Sequence, residues 1–149
     1  MTRSLALSTS LLFLLSLAAL ACGPGKNAAG TTPPAEAPSF AAQAQRGEAL
    51  FGQHCAGCHG DKGQGGRGPA LVGAEALPLQ PGGGQRDVEF RTAADLFQWT
   101  KEHMPPGAPG SLGEAAYLEI VAFDLKANGI DPGPAPLDAA NAANVVLHP

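Results

Sequence analysis

The sequence predicts an all-α fold: three main helices joined by long loops that wrap around something other than protein. Three observations predict it. Two stretches carry apolar or small residues three and four apart, the period of a helix with one buried face, and a third carries the apolar surface of Leu96, Phe97 and Trp99 behind a capping-box spacing. Strand-like patterning is slight, with "DVEF" at 87–90 the short candidate. Between the first two helical stretches lies a run of Gly and Pro, residues 60–85, that is too long for an ordinary connection. Composition agrees. The chain has 149 residues, 20 of them Gly and 14 Pro, and only 5% are aromatic. One domain of this size with so few aromatics has difficulty filling a core with side chains alone. A large flat cofactor at its centre would fill it.

The chain opens with "MTRSLALSTSLLFLLSLAALAC". Arg3 gives a positive start, and Leu11 to Leu20 is an apolar run broken only by Ser16. This reads as an export signal over residues 1–21, too short and wrongly flanked for a spanning helix. Ala19-Leu20-Ala21 is an A-x-A site for ordinary cleavage. Small residues directly before Cys22 also resemble a bacterial lipobox, with Ala19 where leucine is more usual. That pattern implies a lipidated Cys22 as the new N-terminus and a membrane anchor of several acyl chains. Without lipid, Cys22 would be an unpaired exported thiol. Residues 22–43 read as a lipid-anchored flexible linker, rich in Gly, Ala, Pro and Thr. At about 3 Å per residue, its segment 23–39 reaches roughly 50 Å from a membrane. The expected location is the periplasmic side of a bacterial membrane, or, if Cys22 carries no lipid, the soluble periplasm.

The first helix is expected from Phe40, with Ser39 as its N-cap and Phe40, Ala44, Gly47, Phe51 and Cys55 on one face. The loop of residues 60–85 follows, with a short turn near Ala74. "TAADLFQWTKEH" is the second helix; Thr92 and Asp95 have the spacing of a capping box, and Pro105 stops it. The third is expected to open with a second capping box, Ser111 and Glu114, and to run through "EAAYLEIVAFDLKANG". Its buried stripe is Ala116, Ile120 and Phe123 with Tyr117 and Val121 beside them, and Asn128-Gly129 ends it. Residues 131–149 read as a loose C-terminal tail.

The chemistry concentrates in "FGQHCAGCHG", residues 51–60. Cys55 and Cys58 stand three apart and His59 follows at once. A thioredoxin-like dithiol needs a βαβ setting, and no strands flank this motif. A structural zinc site needs four ligands. Cys22 lies at the signal boundary, and His54, His103 and His148 complete no zinc pair. C-x-x-C-H is the signal for haem attachment. Cysteines at i and i+3 lie on one side of a helical turn and can bond two vinyl groups, which places His59 under the iron as the proximal ligand. Attachment takes place outside the cytoplasm, where the signal would deliver the chain.

Residues 44–130 resemble a class I cytochrome c domain through "RGEALFGQHCAGCHG", "GRGPALVG", "HMPPG" and "LGEAAYLEIVAFDLKANG", in that order and spacing. The resemblance implies the cytochrome c fold around one haem c, attached through Cys55 and Cys58. The first and last helices would cross, with Gly47 and Phe51 against Ile120 and Phe123. It implies Met104 as the sixth ligand of the iron, in a loop stiffened by Pro105 and Pro106, with His103 the competing ligand. It implies that the Pro69 carbonyl accepts the ring N–H of His59 and that Leu71 packs on the haem. Trp99, Arg67, Arg86 and Arg91 are candidate donors to the propionates, and His54 has no assigned role.

The implied function is one-electron transfer, His59 and Met104 holding iron as it cycles between ferric and ferrous. Methionine ligation raises the potential. The expected partners are redox complexes: a dehydrogenase, oxidase or reductase. The chain is expected to act as a monomeric carrier, not an enzyme. The competing function is a haem-based sensor or ligand-binding module with a displaceable sixth ligand. A catalytic haem such as a peroxidase is disfavoured because similar bacterial enzymes carry two attachment motifs. The formal net charge is -4, and loss of the signal removes Arg3 and no acid, so nucleic acid is not an expected partner. With lysines only at 26, 62, 101 and 126, docking is expected through a mostly uncharged patch, weakly dependent on salt.

Overall fold

A computed structural model describes residues 38–81 and 87–148. The signal, Cys22, most of the linker and Arg86 lie outside the described residues. The described residues form four helices and no strand: α1 (Phe40–His54), α2 (Ala56–His59), α3 (Ala93–His103) and α4 (Glu114–Ala127). A single turn of 3-10 helix follows at Ala142–Asn144.

The Ser39 hydroxyl caps α1, accepting from the Ala42 N–H at 3.2 Å. The helix buries Phe40, Gln43, Ala44, Gly47 and Phe51, and this face lies across α4. Gly47 lets the two backbones meet: a Cβ there would stand 1.8 Å from the Glu119 carbonyl oxygen. One turn on, the rings of Phe51 and Phe123 pack with centroids 5.0 Å apart.

The Thr92–Asp95 capping box opens α3, each side chain bonding the other's backbone N–H. The second box does not form. Gly113, at φ 80°, is the N-cap of α4 and supplies no side-chain cap. Ser111 is instead drawn into a turn, its N–H donating to the Ala108 carbonyl at 3.3 Å. α4 is buried more widely than the expected stripe. Tyr117, Leu118, Ile120, Val121, Ala122, Asp124 and Leu125 are all buried, whereas Ala116 and Phe123 are half-buried. A helix covered nearly all round is a central one: α1 packs on one side and α3 on another. Its end is a Schellman motif, with Gly129 N–H to Lys126 O at 3.0 Å and Ile130 N–H to Leu125 O at 2.9 Å.

The segment from 131 is not loose where it is described. Leu137 is 2% exposed and Ala142 fully buried, both within the core cluster. Gln43 holds Leu137 from α1, its Nε2 donating to the Leu137 carbonyl at 2.8 Å and its Oε1 accepting the Leu137 N–H at 2.6 Å. Further on, Leu147 N–H donates to Arg91 O at 2.8 Å, and His148 Nε2 donates to Leu77 O at 2.8 Å. The tail thereby clasps α1, the start of α3 and the long loop. Gln43→Ala should cost about 2–4 kcal/mol, because two buried backbone groups lose their partner. Denaturant unfolding of the haem-loaded protein measures it; a loss under about 0.5 kcal/mol, within the range of neutral surface changes, would show that the clasp contributes nothing.

Candidate functional site

The attachment motif sits where α1 ends. The Cys55 N–H still bonds Phe51 O at 2.8 Å, and α2 then adds one short turn carrying Cys58 and His59. Gly60, at φ 82°, ends that turn. Both cysteines are unpaired and half-buried, and His59 is 7% exposed.

His59 Nδ1 lies 2.8 Å from the Pro69 carbonyl oxygen. A carbonyl only accepts, so Nδ1 carries the proton and Nε2 of the neutral ring keeps its lone pair for a metal. The loop after the motif is folded tightly to make this contact. Gly65 N–H bonds His59 O at 2.7 Å, Gly68 N–H bonds Cys58 O at 2.9 Å, and Leu71 N–H bonds Gly63 O at 2.7 Å. Gly68 lies against the imidazole, where a Cβ would stand 2.9 Å from Cε1. The turn expected near Ala74 is closed by Ala76 N–H to Gly73 O at 3.0 Å. From α4, Asn128 Nδ2 donates to Leu71 O at 2.8 Å and Asn128 Oδ1 accepts Gly73 N–H at 3.1 Å, fixing the far end of the loop.

Met104 stands at the C-cap of α3 with extended backbone, as a residue before proline must. The hydroxyl of Tyr117, a fully buried side chain of α4, donates to the Met104 carbonyl at 2.6 Å. The Met104 side chain is half-buried. His103, the competing ligand, is half-buried; its ring stacks on Trp99 at 4.8 Å and its Nδ1 donates to Trp99 O at 2.8 Å. Trp99 also meets Phe90 edge-on at 5.6 Å. Arg91 pairs with Glu89 at 2.7 Å. Arg67 reaches over the motif, its Nη2 3.4 Å from both Gly57 O and Cys58 Sγ. His54 is exposed.

The electrostatics argue against a redox dithiol. Burial, then the nearby Asp124 carboxyl and the Cys58 thiol, push the Cys55 thiol up to about 11. A reactive cysteine needs a lowered value, because the thiolate is the nucleophile. Among the described residues no group of three or more His, Cys, Asp or Glu side chains could hold a metal ion by itself. The donor set instead fits a haem that brings its own equatorial nitrogens. Two thiols one turn apart could be alkylated by such a haem, and the imidazole that follows would offer it Nε2.

Sequence reasoning passed over Gln43, Gly68 and Asp124. Asp124 is buried on α4, and its Oδ1 has no hydrogen-bond partner. Burial pushes its carboxyl up to about 8. In sequence it resembles any surface acid on an amphipathic helix.

A family model described as cytochrome c oxidase, cbb3-type, subunit III matches residues 42–123. Among solved structures, the sulfane dehydrogenase SoxCD from Paracoccus pantotrophus is similar, with 28% identity and a TM-score of 0.54. The match covers 70% of this chain and 52% of that one, so this chain spans about half its length. Among curated proteins none matches.

Proposed function

The chain belongs to the cbb3-type cytochrome c oxidase subunit III family of cytochrome c domains, and on that premise we propose that it is a one-electron carrier in which His59 and Met104 would hold the haem iron. The cytochrome c domain carries covalently bound haem c through Cys55 and Cys58. Haem c supplies a one-electron couple between ferric and ferrous iron.

The observation that supports the reading best is the bond from His59 Nδ1 to Pro69 O. It fixes the ring and its tautomer and makes Nε2 more basic toward the metal. Tyr117 holds the Met104 backbone, and Pro105 and Pro106 limit the freedom of the loop that would present the sulfur. Leu71, held by Gly63 and Asn128, would cover the haem. His59 and Met104 would together hold the iron of that haem, leaving the chain to pass electrons and not to bind a substrate at the metal.

The rest of the proposal stands on the sequence. Export, lipidation at Cys22 and the linker 22–43 place the domain at a membrane on the periplasmic side, acting as a monomer. No helix of the described residues is long and apolar enough to cross a membrane. Redox complexes are the proposed partners, and the likeness to a domain of a sulfane dehydrogenase supports a redox enzyme among them.

Carbon monoxide titration of the reduced, haem-loaded protein tests the reading through its visible spectrum. No change is expected, because Met104 fills the sixth position. A prompt shift would mean an open or weakly held iron, and a sensor or ligand-binding module would replace the carrier.

A further inference from the structure

The carrier reading leaves one buried ionisable group without a task. Asp124 is 3% exposed, and its Oδ1 has no hydrogen-bond partner. Contacts on either side along α4 set its position. The preceding Phe123 meets Phe51, which lies one turn before Cys55 on α1. One turn beyond, Asn128 ties α4 to Leu71 and Gly73, in the loop that follows His59. Asp124 therefore sits at the level where the attachment motif gives way to its loop, and its charge is felt at Cys55.

Charged groups of the elements packed on α4 are engaged elsewhere or exposed: on α3, Asp95 bonds Thr92, Lys101 pairs with Glu114, Glu102 bonds Gln98 and His103 bonds the Trp99 carbonyl. On α1, Arg46 is paired with Glu119, while Glu48 and His54 are exposed. On α4 itself Lys126 is exposed, as are Asp61, Lys62 and Arg67 of the loop. Cys55 and Cys58 become thioethers once haem is attached and no longer titrate. Burial is the cause of the Asp124 shift, with no charged partner opposing it. A buried, unpaired carboxyl is costly to ionise, so any added positive charge close by changes its proton affinity strongly.

We propose that Asp124 couples proton binding to electron transfer, taking up one proton when a haem held by the Cys55–His59 motif gains one electron. The inference rests on the carrier reading. The electron comes from a one-electron redox protein, or from an electrode in the test. Iron goes from ferric to ferrous; the Asp124 carboxylate takes a proton from solvent and becomes a carboxylic acid. One O–H bond forms and no other bond changes. The sign follows from charge. Ferric haem carries one more positive charge and favours the carboxylate, so Asp124 binds its proton more tightly in the reduced protein. Between the two proton affinities the potential falls as pH rises; below both and above both it is flat.

Spectroelectrochemical titration of the haem-loaded protein, across the neutral and alkaline range, tests this. At a fixed electrode potential inside that window, the ferrous-to-ferric ratio should fall by up to about tenfold per pH unit. Asp124→Asn, which keeps the shape and cannot ionise, should abolish the dependence; Asp124→Glu should retain one at a displaced pH. A flat wild-type profile would overturn the proposal. So would a slope that survives in Asp124→Asn, since the proton would then belong to a haem propionate or another group. Should the asparagine variant not mature, redox-difference infrared spectra of the wild type give the answer. A protonated-carboxyl band that shifts with isotope-labelled aspartate must disappear on oxidation, and its absence would overturn the proposal. Carbon monoxide binding by the wild type would instead overturn Met104 ligation, so the two failures are distinguishable.

Discussion

Met104→Ala should lower the midpoint potential and let carbon monoxide bind the ferrous iron. A thioether ligand favours ferrous iron, and alanine leaves its position to water or to nothing. The fall should be on the order of 0.2 V, a fraction of the ~0.8 V that axial ligation spans. The sulfur-to-iron charge-transfer band of the oxidised protein should vanish with it. Met104 is half-buried and its backbone is held by Tyr117, so truncation leaves the fold standing. His103→Ala is the matched control. Its ring is occupied by stacking on Trp99 and by the Trp99 carbonyl, and its loss should leave the potential near the wild-type value. If Met104→Ala kept its potential and its indifference to carbon monoxide while His103→Ala lost both, the ligand assignment would pass to His103.

What could be read from the sequence was what depends on short spacing. The C-x-x-C-H turn, the Thr92–Asp95 box and the Asn128-Gly129 helix end each involve residues within a few positions of one another. Gly47 opposite Ile120 was legible through family resemblance, because a close helix crossing demands a glycine. What stayed hidden rests on contacts distant in sequence. Gln43 reads as a polar residue facing solvent until Leu137, 94 residues away, is placed beside it. The tail has too few apolar residues, and no period among them, to announce that Leu137 and Ala142 join the core. Asp124 was hidden because α4 is covered on more sides than its pattern of apolar residues suggests. Ser111 misled for a local reason: Gly113 ends the preceding turn at positive φ, and that starts the helix two residues later than a Ser111 cap would.

Gly47→Ala should be the most damaging glycine-to-alanine change among the described residues, since its Cβ has the shortest approach there. In an exposed helix interior the change to alanine would stabilise by up to about 1 kcal/mol. Here the added Cβ would lie 1.8 Å from the Glu119 carbonyl oxygen, 2.4 Å from its carbon and 3.1 Å from the Ile120 nitrogen. All three are backbone atoms, so no side chain can turn aside, and α4 itself must move. That shift would open the Phe51–Phe123 contact and loosen Tyr117, Ile120 and Val121, which are among the most deeply buried side chains. The expected cost is about 3–5 kcal/mol, a large part of the stability of a small domain. The site would suffer with the fold. α4 carries Tyr117, which holds Met104, and Asn128, which holds the loop after His59. A displaced α4 should therefore weaken the proposed Met104 ligation even in molecules that fold. Gly52→Ala on the same helix is the control, because its Cβ would meet nothing within 4 Å and should leave stability unchanged or raised. Denaturant unfolding and haem-attached yield, measured for both variants, make the comparison. Equal stability of the two would mean that α1 and α4 do not cross backbone to backbone at Gly47.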